Sequence, residues 1–145
     1  MSKIQSFGYD PNLKYKDRRA AYAVIITGGN RVAAVKGREK YWLPGGGSLK
    51  DETAEETIIR EVREELGMGV QLIKEIGQAI QFFYAANEDC CYKMDATFFL
   101  AEFTNEPLEI GENELHWLLI EEASRSFFHE SHTWATNQAV LLKSS

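Results

Sequence analysis

The stretch Gly46 to Met68, GGSLKDETAEETIIREVREELGM, constrains this chain more than any other part of it. It carries a helix with both ends written into the sequence. Thr53-Ala54-Glu55-Glu56 has the form of a capping box, with Thr53 as N-cap and Glu56 three positions on. Gly67 stands where a helix C-cap glycine belongs. Between them Ala54, Ile58, Val62 and Leu66 repeat every four residues and keep to one face. On a helical wheel at about 100° per residue, Glu65, Glu61 and Glu64 fall on one flank beside that apolar stripe, not opposite it. Like charges three and four residues apart cost roughly 0.2–0.5 kcal/mol per pair on an exposed helix. Three carboxylates gathered beside a core are therefore either neutralised or used.

Two readings of that flank compete. Glu56, Arg60 and Glu64 stand at i, i+4 and i+8, which suits a salt-bridge ladder on a solvated face. Converging hard oxygens also suit Mg²⁺ or Mn²⁺. The glycines at 45–47, just before the helix, let backbone and a polyphosphate approach closely. Periodicity and charge alone leave the two evenly matched.

Around this helix the pattern is mostly strand. Ala20 to Thr27 reads as one buried strand, and Gly28-Gly29-Asn30 turns it into a second, Arg31 to Lys36. Tyr41-Trp42-Leu43 is a short third, ended by Pro44 and the glycines. Val70 to Tyr84 and Cys91 to Phe103 are two long strand-like runs joined by a hairpin loop, Ala85 to Asp89. Leu115 to Ile120 is another strand, and Ser131 caps a final helix to about Lys143. Residues 1–17 read as an arm or an irregular edge strand. Strands, helix, strands, helix predict a mixed sheet with helices on its faces, an α/β fold in one domain over 1–145.

Size and composition agree. A chain of 145 residues buries enough surface for one core. The formal net charge of -6 repels phosphate backbones, so a nucleic-acid polymer is not the expected partner, while a small phosphorylated substrate fits once a metal inverts the local sign. The adjacent Cys90 and Cys91 give no disulfide framework and read as ordinary strand residues. No apolar run approaches a membrane span, and Met1 to Asp10 does not read as a signal peptide. A cytoplasmic location without membrane partners is the resulting expectation.

Gly46, Glu52, Arg60, Glu61, Val62, Glu64, Glu65, Gly67 and Met68 together resemble the Nudix box, a glycine, five residues, a glutamate, seven residues, then Arg-Glu-apolar-x-Glu-Glu-x-Gly-apolar, with no departure. At average residue frequencies such a match arises by chance on the order of 10⁻⁷ per chain. The resemblance implies a Nudix-type α/β/α sandwich and a magnesium- or manganese-dependent hydrolase that cleaves a diphosphate linkage in a nucleoside triphosphate or another nucleoside diphosphate-X. It implies Glu61 and Glu65 as principal metal ligands, Glu64 as a further one, and the Gly45 or Gly46 carbonyl in the same shell. Arg60 and Glu52 become the pair that orients the carboxylates. The general base varies within the family. Glu64 is one candidate, and of the loop residues Glu109, Glu112 and Glu114 the favoured one is Glu112. The family also leaves a homodimer open.

The resemblance carries alternatives. Tyr84 matches a tyrosine of dinucleoside-polyphosphate hydrolases weakly, and the absence of proline in 69–106 counts against ADP-ribose. A non-catalytic, nucleotide-sensing module would be free to lose box residues, and none is lost. Isoprenoid isomerisation would want a cysteine in another context. Asn137 could reach a base, though a plain helix-surface asparagine is the simpler reading. Arg18, Arg19 and Lys36 are candidate phosphate donors, and one of Phe82, Phe83 and Tyr84 could stack on a base. His116, His129 and His132 are scattered and read as surface or capping residues.

Overall fold

The computed structural model describes residues 4–28 and 30–143, with the side chains of residues 105–107 left aside. The strands are β1 (Gln5–Phe7), β2 (Lys16–Val24), β3 (Ile26–Thr27), β4 (Arg31–Lys36), β5 (Tyr41–Trp42), β6 (Gly45–Gly47), β7 (Met68–Ala85), β8 (Cys90–Pro107) and β9 (Leu115–Leu119). The helices are α1 (Ala54–Leu66), α2 (Ala123–Ser126) and α3 (Glu130–Lys143), with a 3₁₀ turn at Ile120–Glu122 before α2. A five-stranded mixed sheet runs β1-β7-β8-β2-β6, parallel between β1 and β7 and between β8 and β2, antiparallel elsewhere. In a second sheet β4 pairs with β3, β5 and β9. The mixed sheet and its helices are the α/β architecture expected.

Helix α1 forms as its sequence dictates. The Thr53 side chain accepts from Glu56 N–H at 3.1 Å, and the Glu56 carboxylate accepts from Thr53 N–H at 2.9 Å. Ile58, Val62 and Leu66 are buried, and Gly67 ends the helix in the left-handed region at φ 67°. A Cβ on Gly67 would run into the Glu109 carbonyl, so only glycine lets the following loop close here. That loop reaches back and satisfies the helix's last carbonyls. Glu112 N–H donates to the Glu64 carbonyl at 3.0 Å, and Asn113 N–H to the Glu65 carbonyl at 2.7 Å.

The five-stranded sheet is buried on both faces. Ala21, Ala23 and Phe99 pack with Ile58 and Val62 of α1. Ala20, Tyr22, Met94, Ala96 and Phe98 pack with Ala135 and Ala139 of α3. Alanines on both faces of β2 let each helix approach the backbone closely. Phe98 is fully buried, and a side chain of its kind contributes roughly 1.5–3 kcal/mol by leaving water.

Four expectations need correction. The run Ala20–Thr27 is not one strand: it leaves the large sheet at Val24, and after Ile25 it enters the second sheet. A continuous apolar run buried on both sides carries no periodic mark of such a crossing. The glycines at 45–47 do not only stop a strand. They form the edge strand β6 against Ala20–Tyr22. The last strand ends at Leu119, one residue early, and the 3₁₀ turn and α2 after it were not foreseen. Ser131 does not cap the last helix, which starts at Glu130. Ser131 lies inside α3, fully buried, with its backbone N–H on the Gln81 side-chain oxygen at 2.9 Å.

Candidate active site

Arg60 organises one end of the site. It grips Glu52 through Nε to Oε2 at 2.7 Å and Nη2 to Oε1 at 2.9 Å. Nη2 also donates to the Gly47 carbonyl at 3.0 Å, and Nη1 to Glu61 Oε1 at 2.6 Å and Glu64 Oε2 at 3.2 Å. One guanidinium thus ties the glycine strand to three carboxylates. Its hydrogen bonds hold the Glu52 carboxyl down at about 2, and Glu52 in turn raises Arg60 above its ordinary value. Glu52 also accepts from Leu49 N–H at 2.9 Å and from the Thr57 hydroxyl at 2.8 Å. The salt-bridge ladder is half present: Arg60 pairs with Glu64, but Glu56 serves the cap.

Glu61 and Glu65 lie deeper, where α1 meets β6. Burial raises Glu61 against the pull of Arg60. Glu65 is raised further, to about 8. Burial is the main cause, Gly45 N–H opposes it with a hydrogen bond at 3.0 Å, and the charges of Glu61, Glu112 and Glu64 add to it. A Cβ on Gly46 would stand 2.6 Å from Glu61 Oε2, so the glycine makes room for the carboxylate. Gly45 meets the cluster through its N–H, whereas the family pattern assigns a carbonyl.

These residues suit a divalent cation by their chemistry. Crowded carboxylates, two of them held above their ordinary range, are what a cation relieves. An all-oxygen set suits Mg²⁺ or Mn²⁺. Among the described residues no three His, Cys, Asp or Glu side chains already converge on one point. Arg60 draws Glu61 and Glu64 to itself, so these donors would have to turn to share an ion with Glu65.

The loop carboxylates separate. Glu109 pairs with Arg63 at 2.9 Å, and Glu114 stands 3.9 Å from His116. Glu112 is fixed through its backbone to α1, and its charge bears on Glu65.

On the α3 face of the large sheet lies a cleft of about 1200 Å³. Trp42, Phe83, Tyr84, Phe128, Arg18 and Arg38 line much of it. Phe83 and Phe128 meet the His129 ring at centroid distances of 4.6 and 4.8 Å. Arg18 stands between cleft and carboxylates. Its Nη2 would be 2.8 Å from a Cβ on Gly47, its guanidinium lies 5.3 Å from the Tyr92 ring centroid, and Glu88 is 3.8 Å away. The glycine strand therefore separates Glu61 on one side from Arg18 on the other.

Other sequence candidates fall elsewhere. The Arg19 guanidinium donates to the Leu49 and Glu52 carbonyls, and Lys36 ends β4 in the second sheet. Tyr84 lines the cleft but donates its hydroxyl to Asp89 at 2.7 Å. Asn137 is exposed, two turns along α3 from the cleft. The histidines need correction. His129 and His132 are buried at 3% and 0% exposure, and burial lowers His129 to about 4 and His132 well below its ordinary value. His132 Nδ1 accepts from Leu43 N–H at 3.0 Å. Reading the histidines as surface or capping residues also missed His129 and its neighbour Glu130 as cleft residues. The apolar company of Phe127, Phe128 and Trp134 was the signal available.

The family model for the NUDIX domain matches residues 16–140. Solved structures with the same fold include a NUDIX hydrolase from Nitrosomonas europaea, 18% identical, covering 88% of this chain and 91% of that one at a TM-score of 0.68. A MutT NUDIX hydrolase from Burkholderia pseudomallei is 24% identical, covering 85% and 98% at a TM-score of 0.65. An ADP-ribose pyrophosphatase from Streptococcus suis is 13% identical, covering 88% and 92% at a TM-score of 0.66. No curated protein matches the chain.

Proposed function

Since the chain belongs to the NUDIX family and is a hydrolase of that family, we propose that it cleaves the diphosphate linkage of a small nucleotide in a Mg²⁺- or Mn²⁺-dependent reaction. One observation carries this reading. The Arg60-bound carboxylates and the aromatic cleft meet at a single glycine strand, with Arg18 on the cleft side of it.

Glu61, Glu65 and Glu64 would hold the metal, with backbone oxygen from the Gly45–Gly46 strand. A bound divalent cation supplies charge neutralisation, an activated water and stabilisation of the leaving oxygen. The protein's own groups do the rest. Arg60, braced by Glu52, keeps the carboxylates oriented. Arg18 provides a cation for phosphate oxygens beside Gly47. The rings of Trp42, Phe83 and Phe128 offer an apolar slot for a base. Hydrolysis adds water across the P–O–P anhydride, and Glu112, fixed beside Glu65, is the carboxylate proposed to take the proton of the attacking water.

Nucleoside triphosphates rank first as substrates, dinucleoside polyphosphates second and ADP-ribose third. An acidic chain with net charge -6 favours these over long RNA, which needs several phosphate contacts to bind at physiological salt. Among the described residues no helix is long and apolar enough to cross a membrane. The test is a release assay over this panel with Mg²⁺ and with Mn²⁺, including a 5′-triphosphorylated RNA oligonucleotide at one ionic strength. Metal-dependent cleavage of a small nucleotide is expected. A panel without turnover, or a preference of more than about tenfold for the oligonucleotide, sinks the reading.

A further inference from the structure

Resting on the reading that Arg18 takes phosphate oxygens of the substrate, we propose that Glu88 is a built-in competitor for Arg18: its carboxylate attends the guanidinium in the empty cleft, and the phosphate of an incoming nucleotide displaces it. Both residues line the cleft, Arg18 from β2 and Glu88 from the hairpin loop between β7 and β8. Glu88 Oε2 lies 3.8 Å from Arg18 Nη1. A closed charge-assisted hydrogen bond would measure about 2.7–2.9 Å. The two charges therefore face each other without locking. Their side chains are 35% and 44% exposed, so a ligand reaches both.

Tyr92 keeps the carboxylate in place. Lys16 stands opposite Tyr92 and Arg18 opposite Met94, which makes Arg18 and Tyr92 diagonal neighbours on the cleft face of the sheet. The Arg18 guanidinium lies 5.3 Å from the Tyr92 ring centroid, and the Tyr92 hydroxyl donates to Glu88 Oε1 at 2.8 Å. One side chain thus touches both partners. Its ring meets the cation, while its hydroxyl anchors one carboxylate oxygen and leaves the other to Arg18.

The fold does not depend on this pair. Glu88 N–H donates to the Ala85 carbonyl at 3.1 Å, and Asp89, left-handed at φ 48°, accepts from the Tyr84 hydroxyl at 2.7 Å. These bonds close the hairpin loop, and an exposed ion pair adds little to stability. What the pair changes is the reception of a phosphate. A phosphate offers the guanidinium fork paired acceptors, which a carboxylate tied to Tyr92 by one oxygen does not. Every phosphate that binds Arg18 must first release Glu88, and an uncharged nucleoside need not. The same penalty falls on substrate and product. A diphosphate also held at the carboxylate cluster withstands it, whereas a monophosphate held by Arg18 alone is eased out.

Glu88→Gln tests this, because the amide oxygen still accepts from Tyr92 and only the charge is lost. AMP and GMP, each beside its nucleoside, are titrated into the metal-free protein at one ionic strength, since salt screens exposed charges. Tryptophan fluorescence reports binding, as Trp42 lines the cleft. AMP and GMP should bind about two- to fivefold more tightly to E88Q than to wild type, the scale of an exposed ion pair. Adenosine and guanosine should bind both proteins alike. Arg18→Ala should weaken AMP and GMP, and adding E88Q to it should restore nothing. Unchanged nucleotide affinity in E88Q overturns the proposal. So does an equal gain in the Arg18→Ala background, which would be a general effect of surface charge, and so does an equal gain for the nucleosides. The hydrolysis panel keeps the two readings apart. Cleavage without coupling between Glu88 and Arg18 sinks the competitor alone, whereas coupling without cleavage sinks the diphosphohydrolase reading alone. Neither nucleotide binding nor cleavage sinks both.

Discussion

Arg60 and Glu52 meet in a two-pronged hydrogen bond, Nε to Oε2 at 2.7 Å and Nη2 to Oε1 at 2.9 Å, across the gap between α1 and the loop before it. Because Nη1 of the same guanidinium reaches Glu61 and Glu64, the pairing sets where two more carboxylates can lie. Arg60→Ala should weaken Mn²⁺ binding by roughly 10–100-fold, the usual effect of removing a ligand's supporting partner. Arg60→Lys should rescue little, since an ammonium cannot form the fork. Titration of Mn²⁺ by electron paramagnetic resonance reads this directly. Unchanged affinity and unchanged turnover in Arg60→Ala would return the flank to a plain surface salt bridge.

Glu65→Gln should lower turnover by orders of magnitude and, without metal, make the fold more stable at alkaline pH. The sign follows from the raised carboxyl. Its folded-state value of about 8 lies above the ordinary 4.5, so its contribution is fully present below 4.5 and is lost as pH rises through 8. Wild type and variant should therefore melt alike near pH 5, and the variant should melt higher near pH 8.5. A Tm difference that does not grow with pH contradicts the burial of Glu65. Near-normal turnover contradicts its role.

The buried histidines act in the opposite sense. His129 has a folded-state value near 4, below the ordinary 6.5, so the unfolded chain takes up the proton first. Stability should fall as pH drops below 6.5 and continue to fall to about 4, by up to roughly 1.4 kcal/mol per pH unit for one fully buried group. Glu65 opposes this over part of the range, so the informative quantity is a difference. His129→Phe should lose less urea resistance than wild type between pH 7 and pH 5. Parallel loss in the two proteins would show that His129 is not held neutral.

Thr53→Ala removes the cap of α1 without touching the carboxylates. A cost of about 1 kcal/mol in urea unfolding is expected. Turnover at saturating metal should stay within about twofold, because the helix is also held by its buried face. A large loss of turnover would mean that the cap positions the site.

What could be read in the sequence was local. Helix α1 was legible to its last residue because a capping box, a four-residue apolar spacing and a C-cap glycine agree. The Arg60–Glu52 pair came from the motif alone, and its geometry suits the orienting role proposed for it. The cleft was not legible, because Arg18, Arg38, Trp42, Phe83 and Glu130 are brought together only by strand pairing and by the docking of α3. His129 and His132 were misread because a single histidine carries no periodic mark of burial. The aromatic residues beside them in the chain were a hint, but the rings that enclose them, Phe83 and Phe128 at His129 and Tyr22, Phe98 and Phe127 at His132, come mostly from distant strands.

The loop that follows β8 closes the last turn of α1, with Leu108 and Glu109 N–H on the Gly67 carbonyl and Glu112 and Asn113 on Glu64 and Glu65. That helix end therefore cannot fray by itself: opening it releases a segment more than forty residues later in the chain, and the reverse holds too. In hydrogen exchange, the amides of Glu112 and Asn113 should open together with those of the last turn of α1, as one cooperative unit. The proposed metal donors and the proposed base would then be gained and lost in a single event, so that a partly unfolded molecule would hold neither half of the catalytic apparatus.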